Sequence, residues 1–291
     1  HVLFPVGLKG GRERDILKAA MNGVVKIEVS RRHCPECGNE TFKLYCESCS
    51  CRTIQVLSCP KCGLPASDGR CPSCGIEAKP YSRLTVDLKA ELATAMKNVG
   101  MHSPPPSLKG VKGLSSATKL PEPLEKGLLR AKYGLYVYKD GSIRFDATDA
   151  PLTHFTPKEV SAPVEKLRKL GYTHDYKGAP LTEDSQILEL KPQDIVIPFK
   201  CASYFVKVAK FIDELLVKFY GQQSYYNVEK EEDLVGCLVI GLAPHTSAGI
   251  LGRIVGFTNA SVCLAHPYWH AAKRRNCDGD EDAIILALDA L

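Results

Sequence analysis

The chain has no uninterrupted apolar run approaching ~18 residues, so none of its helices is expected to span a bilayer. The opening His1-Val2-Leu3-Phe4-Pro5 lacks the positive-then-apolar order of a secretory signal peptide. A cytoplasmic location is therefore expected. A large excess of one charge is missing too, since 38 Lys+Arg against 33 Asp+Glu leave a net charge of +5. With 44% hydrophobic and 24% charged residues, a largely disordered chain is excluded. The 291 residues suggest two domains or slightly more. The first residue is His, not Met, and Leu291 falls inside an apolar periodic stretch, so the chain is read as a piece of something longer.

Charge is unevenly spread. Residues 1–132 hold 21 Lys+Arg and 12 Asp+Glu, whereas residues 133–291 hold 17 and 21. A basic half suits a polyanion and an acidic half suits cations, although a solvated surface with chance asymmetry explains these magnitudes equally well. Cysteine decides more. There are 13, and nine lie between Cys34 and Cys74. Without a secretory signal, clustered thiols point to metal rather than to disulfides.

Residues 34–49 read CPECGNETFKLYCESC and residues 59–74 read CPKCGLPASDGRCPSC. Both open C-P-x-C-G and close C-x-S-C, and the second repeats the first after 25 residues. Each C-x-x-C offers two soft ligands from one tight turn, and zinc takes four in a tetrahedron. Gly38 and Gly63 suit turn positions that require positive φ. Cys34, Cys37, Cys46 and Cys49 are assigned to one zinc, and Cys59, Cys62, Cys71 and Cys74 to a second. Cys51 could compete with Cys49, and His33 could replace a thiolate, but a surface residue near the turn is the favoured reading for both. A redox C-x-x-C does not explain paired pairs. Closed four-thiolate sites are structural and let a short segment fold with almost no core. Arg31, Arg32, Lys43, Arg52, Lys61 and Arg70 surround them and fit phosphate contact.

Along the rest of the chain, residues 24–29 alternate as a strand. Leu88, Leu92, Met96 and Val99 recur at helical spacing before Gly100. Residues 102–127, rich in Gly, Pro, Ser and Lys, read as a linker or extended loop. Lys139-Asp140-Gly141 between apolar runs at 135–138 and 142–145 predicts a hairpin. Thr156-Pro157-Lys158-Glu159 has the form of a capping box, but Pro163 makes a helix from 163 to 170 the better reading. Residues 195–197 read as a strand. Phe205, Val208, Ile212, Leu215, Leu216 and Phe219 line a packed helix face. From Gly236, short apolar strands at 237–240, 250–255 and 261–265 suggest a compact barrel. The expected organisation is a strand-containing lead-in over 1–32, tandem zinc modules over 33–80, a helix over 81–101, a linker over 102–127, a small α+β region over 128–190 and a barrel segment over 191–291. The fold class is mixed α/β.

Chemistry is expected at Lys273-Arg274-Arg275-Asn276-Cys277-Asp278-Gly279-Asp280-Glu281-Asp282. Positions 284, 285, 288 and 291 fall on one helical face, which would put Asp278 and Asp280 in a loop entering a helix. Asn276, Asp278 and Asp280 then offer oxygens at alternate positions, and Gly279 lets the backbone bend between the two acids. Such a set suits Mg²⁺, which is held by one or two carboxylates while substrate phosphates and water complete the octahedron. Lys273, Arg274 and Arg275 could neutralise a triphosphate or a primer backbone. An EF-hand fails, because Ala283 stands where Gly is needed. Glu281 and Asp282 read as acids favoured by a helix dipole. His266 and His270 read as packing residues.

The stretch from His266 to Asp282 resembles the catalytic signature of the archaeal family D DNA polymerase large subunit. His1–Gly7, the Cys-rich region, Lys191–Ile195 and Ala243–Gly249 are similar to the same family, and the likeness covers the whole chain as an internal segment. The resemblance implies two zinc-ribbon-like modules plus a double-psi β-barrel of the two-barrel polymerase type. Asp278 and Asp280 would be Mg²⁺ ligands, Asn276 the third member of the catalytic set, and the lysines of the other barrel would lie upstream. It implies primer–template DNA, deoxynucleoside triphosphates, a small exonuclease subunit and a sliding clamp as partners, and no membrane. A zinc-ribbon binding module without catalysis and an RNA-polymerase-like transferase are the rival readings.

Overall fold

The computed structural model describes residues 1–66, 68–244 and 246–289. His245, within the similar stretch 243–249, and Leu291, on the expected helical face, lie outside the described residues. Two compact units divide the chain, His1–Tyr136 and Val137–Leu291. Among the described residues no helix is long and apolar enough to cross a membrane.

In the first unit, β1 (Val24–Ser30) pairs antiparallel with β5 (Tyr81–Asp87), with Val24 opposite Asp87 and Ser30 opposite Tyr81. The alternation seen in the sequence is real, since Val25, Ile27 and Val29 are buried. The cysteine repeats occupy the excursion between these strands, where β2 (Arg32–His33) pairs with both β3 (Glu40–Thr41) and β4 (Ile54–Gln55). Residues 81–87, expected to open a helix, are strand, because β1 supplies a partner along their full length. The helix starts after them. Among the described residues three helices complete the unit: α1 (Ile16–Met21), α2 (Leu88–Asn98) and α3 (Leu124–Lys132). The Asp87 carboxylate caps α2 by accepting from Ala90 N at 3.0 Å, and Gly100 follows at φ +65°. Residues 102–127 are extended up to α3 and packed. Leu108 is fully buried, Val2 N donates to Lys109 O at 3.1 Å, and Val111 N donates to Phe4 O at 2.9 Å. A Pro-rich composition removes regular ladders but does not prevent packing.

The second unit is built on a closed barrel. Its strands are β6 (Phe145–Pro151), β9 (Asp194–Pro198), β10 (Leu238–Leu242), β11 (Ile250–Thr258), β12 (Val262–Ala265) and β13 (Glu281–Leu286), in the order β10-β11-β9-β12-β6-β13. The β11–β9 and β12–β6 pairs are parallel, and β13 closes the barrel antiparallel to β10. Closure removes exposed strand edges. A parallel pair needs a crossover, and α5 (Phe199–Lys218) lies in the connection after β9. Its buried face includes Phe205, Val208, Ile212 and Leu215, as the spacing predicted. Two-residue strands β7 (His154–Phe155) and β8 (Leu188–Glu189) pair beside α4 (Val164–Lys169), and α6 (Pro267–Ala272) follows β12.

Two expectations are corrected here. The predicted hairpin forms its turn, with Tyr138 N donating to Ser142 O at 2.9 Å, but strand begins only at Phe145. Asp140 draws in Ser142 Oγ at 2.7 Å and the Arg144 guanidinium, and these local bonds compete with a ladder. The expected helix over 284–291 is strand β13 from Glu281 to Leu286. Residues Asp282 to Leu286 are all buried, so both faces are covered, and Ile284-Ile285 favours that state.

Gly241 in β10 makes room for the only tryptophan of the chain. A Cβ there would lie 2.5 Å from two ring atoms of Trp269, whose Nε1 donates to Leu251 O at 3.1 Å. We expect Gly241→Ala to cost about 1–3 kcal/mol, as overpacking does. Denaturant unfolding should show a lower midpoint with unchanged slope.

Candidate catalytic loop and metal centres

The cysteines assemble as the repeat predicted. Within Cys34, Cys37, Cys46 and Cys49 the sulfurs all lie within 4.8 Å of one another, and so do those of Cys59, Cys62, Cys71 and Cys74. Cys37 and Cys46 Sγ are 3.7 Å apart, and Cys62 and Cys71 Sγ are 3.4 Å apart. Two thiolates on one tetrahedral zinc, each bonded at ~2.3 Å, stand about 3.8 Å apart, so both sets could hold zinc. Gly38 and Gly63 turn at φ +73° and +77°. The Cys37 amide helps lower the Cys34 thiol to about 6, and the Cys62 amide does the same for Cys59. Each set thus offers one ready thiolate at neutral pH. Hydrogen bonding with Cys37 pushes Cys49 up to about 12, and with Cys62 pushes Cys74 up to about 12, so a metal bound there would have to displace their protons.

Three of the six basic residues expected to face phosphate are engaged internally. Arg32 is buried and donates Nε to Thr53 Oγ1 at 2.8 Å. Arg31 donates to Glu40 Oε1 at 2.8 Å, and Lys43 pairs with Glu47 and Glu91. Arg52, Lys61 and Arg70 are exposed.

Asn276, Asp278 and Asp280 share the loop between α6 and β13. Asn276 and Asp278 are exposed and Asp280 is half-buried. Arg274, Cys277 and Gly279 take φ of +63°, +60° and +108°. Left-handed φ at two non-glycine residues costs of order 1–3 kcal/mol each and persists only where surrounding structure imposes it. That structure is a buried charge cluster. Lys273, only 3% exposed, donates Nζ to both carboxylate oxygens of Asp149 at 2.9 Å and to Asp282 Oδ2. Its ammonium also lies 4.1 Å from the Trp269 ring centroid. Arg275 Nε donates to Asp282 Oδ1 at 2.6 Å, and its Nη1 lies 3.5 Å from Asp280 Oδ2. Asp149 N donates to Asp280 O at 2.8 Å, tying the loop to β6. Burial raises the Asp149 carboxyl, but His270 beside it and the Lys273 ammonium outweigh that and hold the group below its usual value.

Of the basic triplet, then, Arg274 is exposed while Lys273 and Arg275 brace the loop. Asp282 is no helix-dipole decoration but the buried partner of both. His270 packs as expected, with Nε2 donating to Ala150 O at 3.0 Å, and His266 caps α6 by accepting from Tyr268 N at 3.2 Å. Asp149 was missed, because nothing local marks a charged residue that pairs with one 124 positions away. Among the described residues, only the two Cys sets bring three or more potential ligands of the His, Cys, Asp and Glu types together. The loop carboxylates are not part of such a group.

Residues 101–291 match the family model described as DNA polymerase II large subunit DP2, catalytic domain, and residues 1–84 match that of the DP2 central domain. The chain is 53% identical over 299 residues to the DNA polymerase II large subunit of Archaeoglobus fulgidus, all of this chain against 26% of that one. For the Pyrococcus furiosus large subunit the values are 53% and 24%, and for that of Thermococcus kodakarensis 54% and 17%. In each case the whole of this chain is matched, and it spans about a quarter or less of the relative's length. The catalytic-domain match takes in both the barrel and the loop braced beneath by Lys273, and the chain belongs to the DNA polymerase II large subunit (DP2) family.

Proposed function

We propose that this chain is part of the catalytic subunit of a DNA-directed DNA polymerase of the archaeal family D type. It would join a deoxynucleoside triphosphate to a primer 3′-hydroxyl on template DNA. The observation that carries the reading is the loop of Asn276, Asp278 and Asp280, held in left-handed turns against a closed barrel inside the matched catalytic domain. In this reading the barrel is of the double-psi type, and the lysines of a second barrel come from outside the chain. Asp278 and Asp280 would hold Mg²⁺ from alternate positions, Asn276 would add a neutral oxygen, and Arg275 keeps the Asp280 carboxylate aimed. Bound magnesium would lower the pKa of the 3′-hydroxyl and stabilise charge on the departing pyrophosphate. The 3′-oxygen gives its proton to water and bonds to the α-phosphorus while the bond to pyrophosphate breaks, and exposed Arg274 would be free to meet phosphate oxygens. Two structural zinc ions fold the cysteine modules, whose exposed Arg52, Lys61 and Arg70 contact DNA phosphates. A small exonuclease subunit and a sliding clamp complete the assembly, which works in the cytoplasm.

Manganese tests this directly. In crystals of the full-length large subunit soaked with Mn²⁺, an anomalous peak should appear against Asp278 and Asp280, separate from zinc at the cysteines. A subunit with zinc but no manganese at the loop would be a binding module, and the polymerase assignment of this loop would fall.

A further inference from the structure

The two cysteine modules share a backbone but not a set of sulfurs. Cys34 N donates to Asn39 O at 2.9 Å and Cys59 N to Leu64 O at 2.9 Å. Cys46 N donates to Cys51 O at 2.9 Å and Cys71 N to Ile76 O at 2.8 Å. Shifting by 25 residues therefore maps Cys51 onto Ile76 at the same hydrogen-bonded position. In the second module that side chain can bind no metal. In the first it is a fifth thiol, and its Sγ lies 3.2 Å from Cys34 Sγ. That is closer than the 3.7 Å between Cys37 and Cys46, two members of the four-sulfur set itself. Cys51 is half-buried, whereas Cys49 is exposed.

We propose that the first module is a five-thiol zinc centre in which Cys51 replaces Cys49 as a ligand when the exposed thiolate leaves. The proposal rests on the reading that both modules hold zinc. The exchange is balanced without a redox step. The Cys51 thiol bonds to zinc as a thiolate, the Cys49–zinc bond breaks, and the proton released by Cys51 passes to Cys49. Zinc keeps four sulfurs and its charge throughout. Cys51 stands beside Cys34 but outside the four sulfurs that lie within 4.8 Å of one another, so it enters the set by moving past Cys34. The second module has no such reserve and depends on all four of its cysteines.

The repeat supplies its own control. Zinc per chain is measured in the full-length large subunit after a chelator challenge, relative to the wild type. Cys74→Ser should lose one equivalent, Cys49→Ser none, and Cys49→Ser/Cys51→Ser one. Cobalt substitution guards against a module that merely misfolds or keeps metal on three sulfurs. The thiolate-to-cobalt absorption should keep its wild-type intensity in Cys49→Ser and fall in Cys74→Ser. Equal zinc loss from the two single variants, or an equal fall in the cobalt band, overturns the reserve ligand. A wild-type chain without zinc overturns the zinc reading as well.

Discussion

Asp278→Ala in the complete enzyme is expected to reduce nucleotide addition by at least about 10³-fold while leaving zinc content unchanged. If the loop holds magnesium as proposed, losing one of its two carboxylates forfeits several kcal/mol of charge stabilisation in the transition state, and each 1.4 kcal/mol is about tenfold in rate. Asp280→Ala should behave alike for a second reason, since Arg275 then loses its contact with the loop carboxylate and keeps Asp282 and the Glu281 carbonyl. Neither side chain packs into the barrel, Asp278 being exposed and Asp280 half-buried, so both variants should unfold at the wild-type temperature. Single-turnover primer extension measures the first effect and thermal denaturation the second. Extension at the wild-type rate by either variant would remove the metal role from this loop. Asn276→Asp is a milder test. It adds a third carboxylate at an exposed position, and it should change metal affinity far less than loss of Asp278.

The cysteine centres were legible because ligand chemistry demands both residue type and spacing, and the repeat states the pattern twice. The helices at 88–98 and 199–218 and the three strands after Gly236 were legible because one face of each is apolar at the right period. Strand β13 was misread, since Ala283-Ile284-Ile285-Leu286-Ala287-Leu288 satisfies both periods. A short apolar run buried on both faces carries no periodicity to arbitrate. The two adjacent isoleucines after Gly279 were the better signal. The support beneath the loop was not legible at all. Lysine and aspartate are almost never fully buried unless paired, and the partners of Lys273 come from β6 and β13, 124 and nine residues away. The sequence showed which groups could act on a metal. The groups that hold them in place became visible only when the barrel closed.

Lys273→Met should therefore be the most destabilising single change in the second unit, by about 3–5 kcal/mol. The cluster is balanced as it stands, with Lys273 and Arg275 against Asp149 and Asp282. Removing the ammonium leaves two buried carboxylates that shared it, of which Arg275 reaches only Asp282. For a unit of this size each kcal/mol lowers Tm by about 2–4 °C. The sign of the pH dependence follows from Asp149. Its carboxyl is depressed in the folded chain relative to the usual 3.8, so the stability it adds is present above that pH and is lost as the pH falls through the folded value. The Lys273→Met chain should show this acid limb weakened, because the ammonium is gone while His270 stays beside Asp149. Replacing the whole group at once, Asp149→Asn with Lys273→Met and Asp282→Asn, removes the stranded charges and should recover most of the lost stability, because neutral isosteres of buried ion clusters are often tolerated. Polymerase activity should not recover with it. Arg275 would then face a neutral amide at position 282, with no carboxylate there to hold its guanidinium, and the strained turns at Arg274 and Cys277 would relax away from the geometry that aims Asp278 and Asp280. Activity returning in step with stability would show that the cluster serves folding alone.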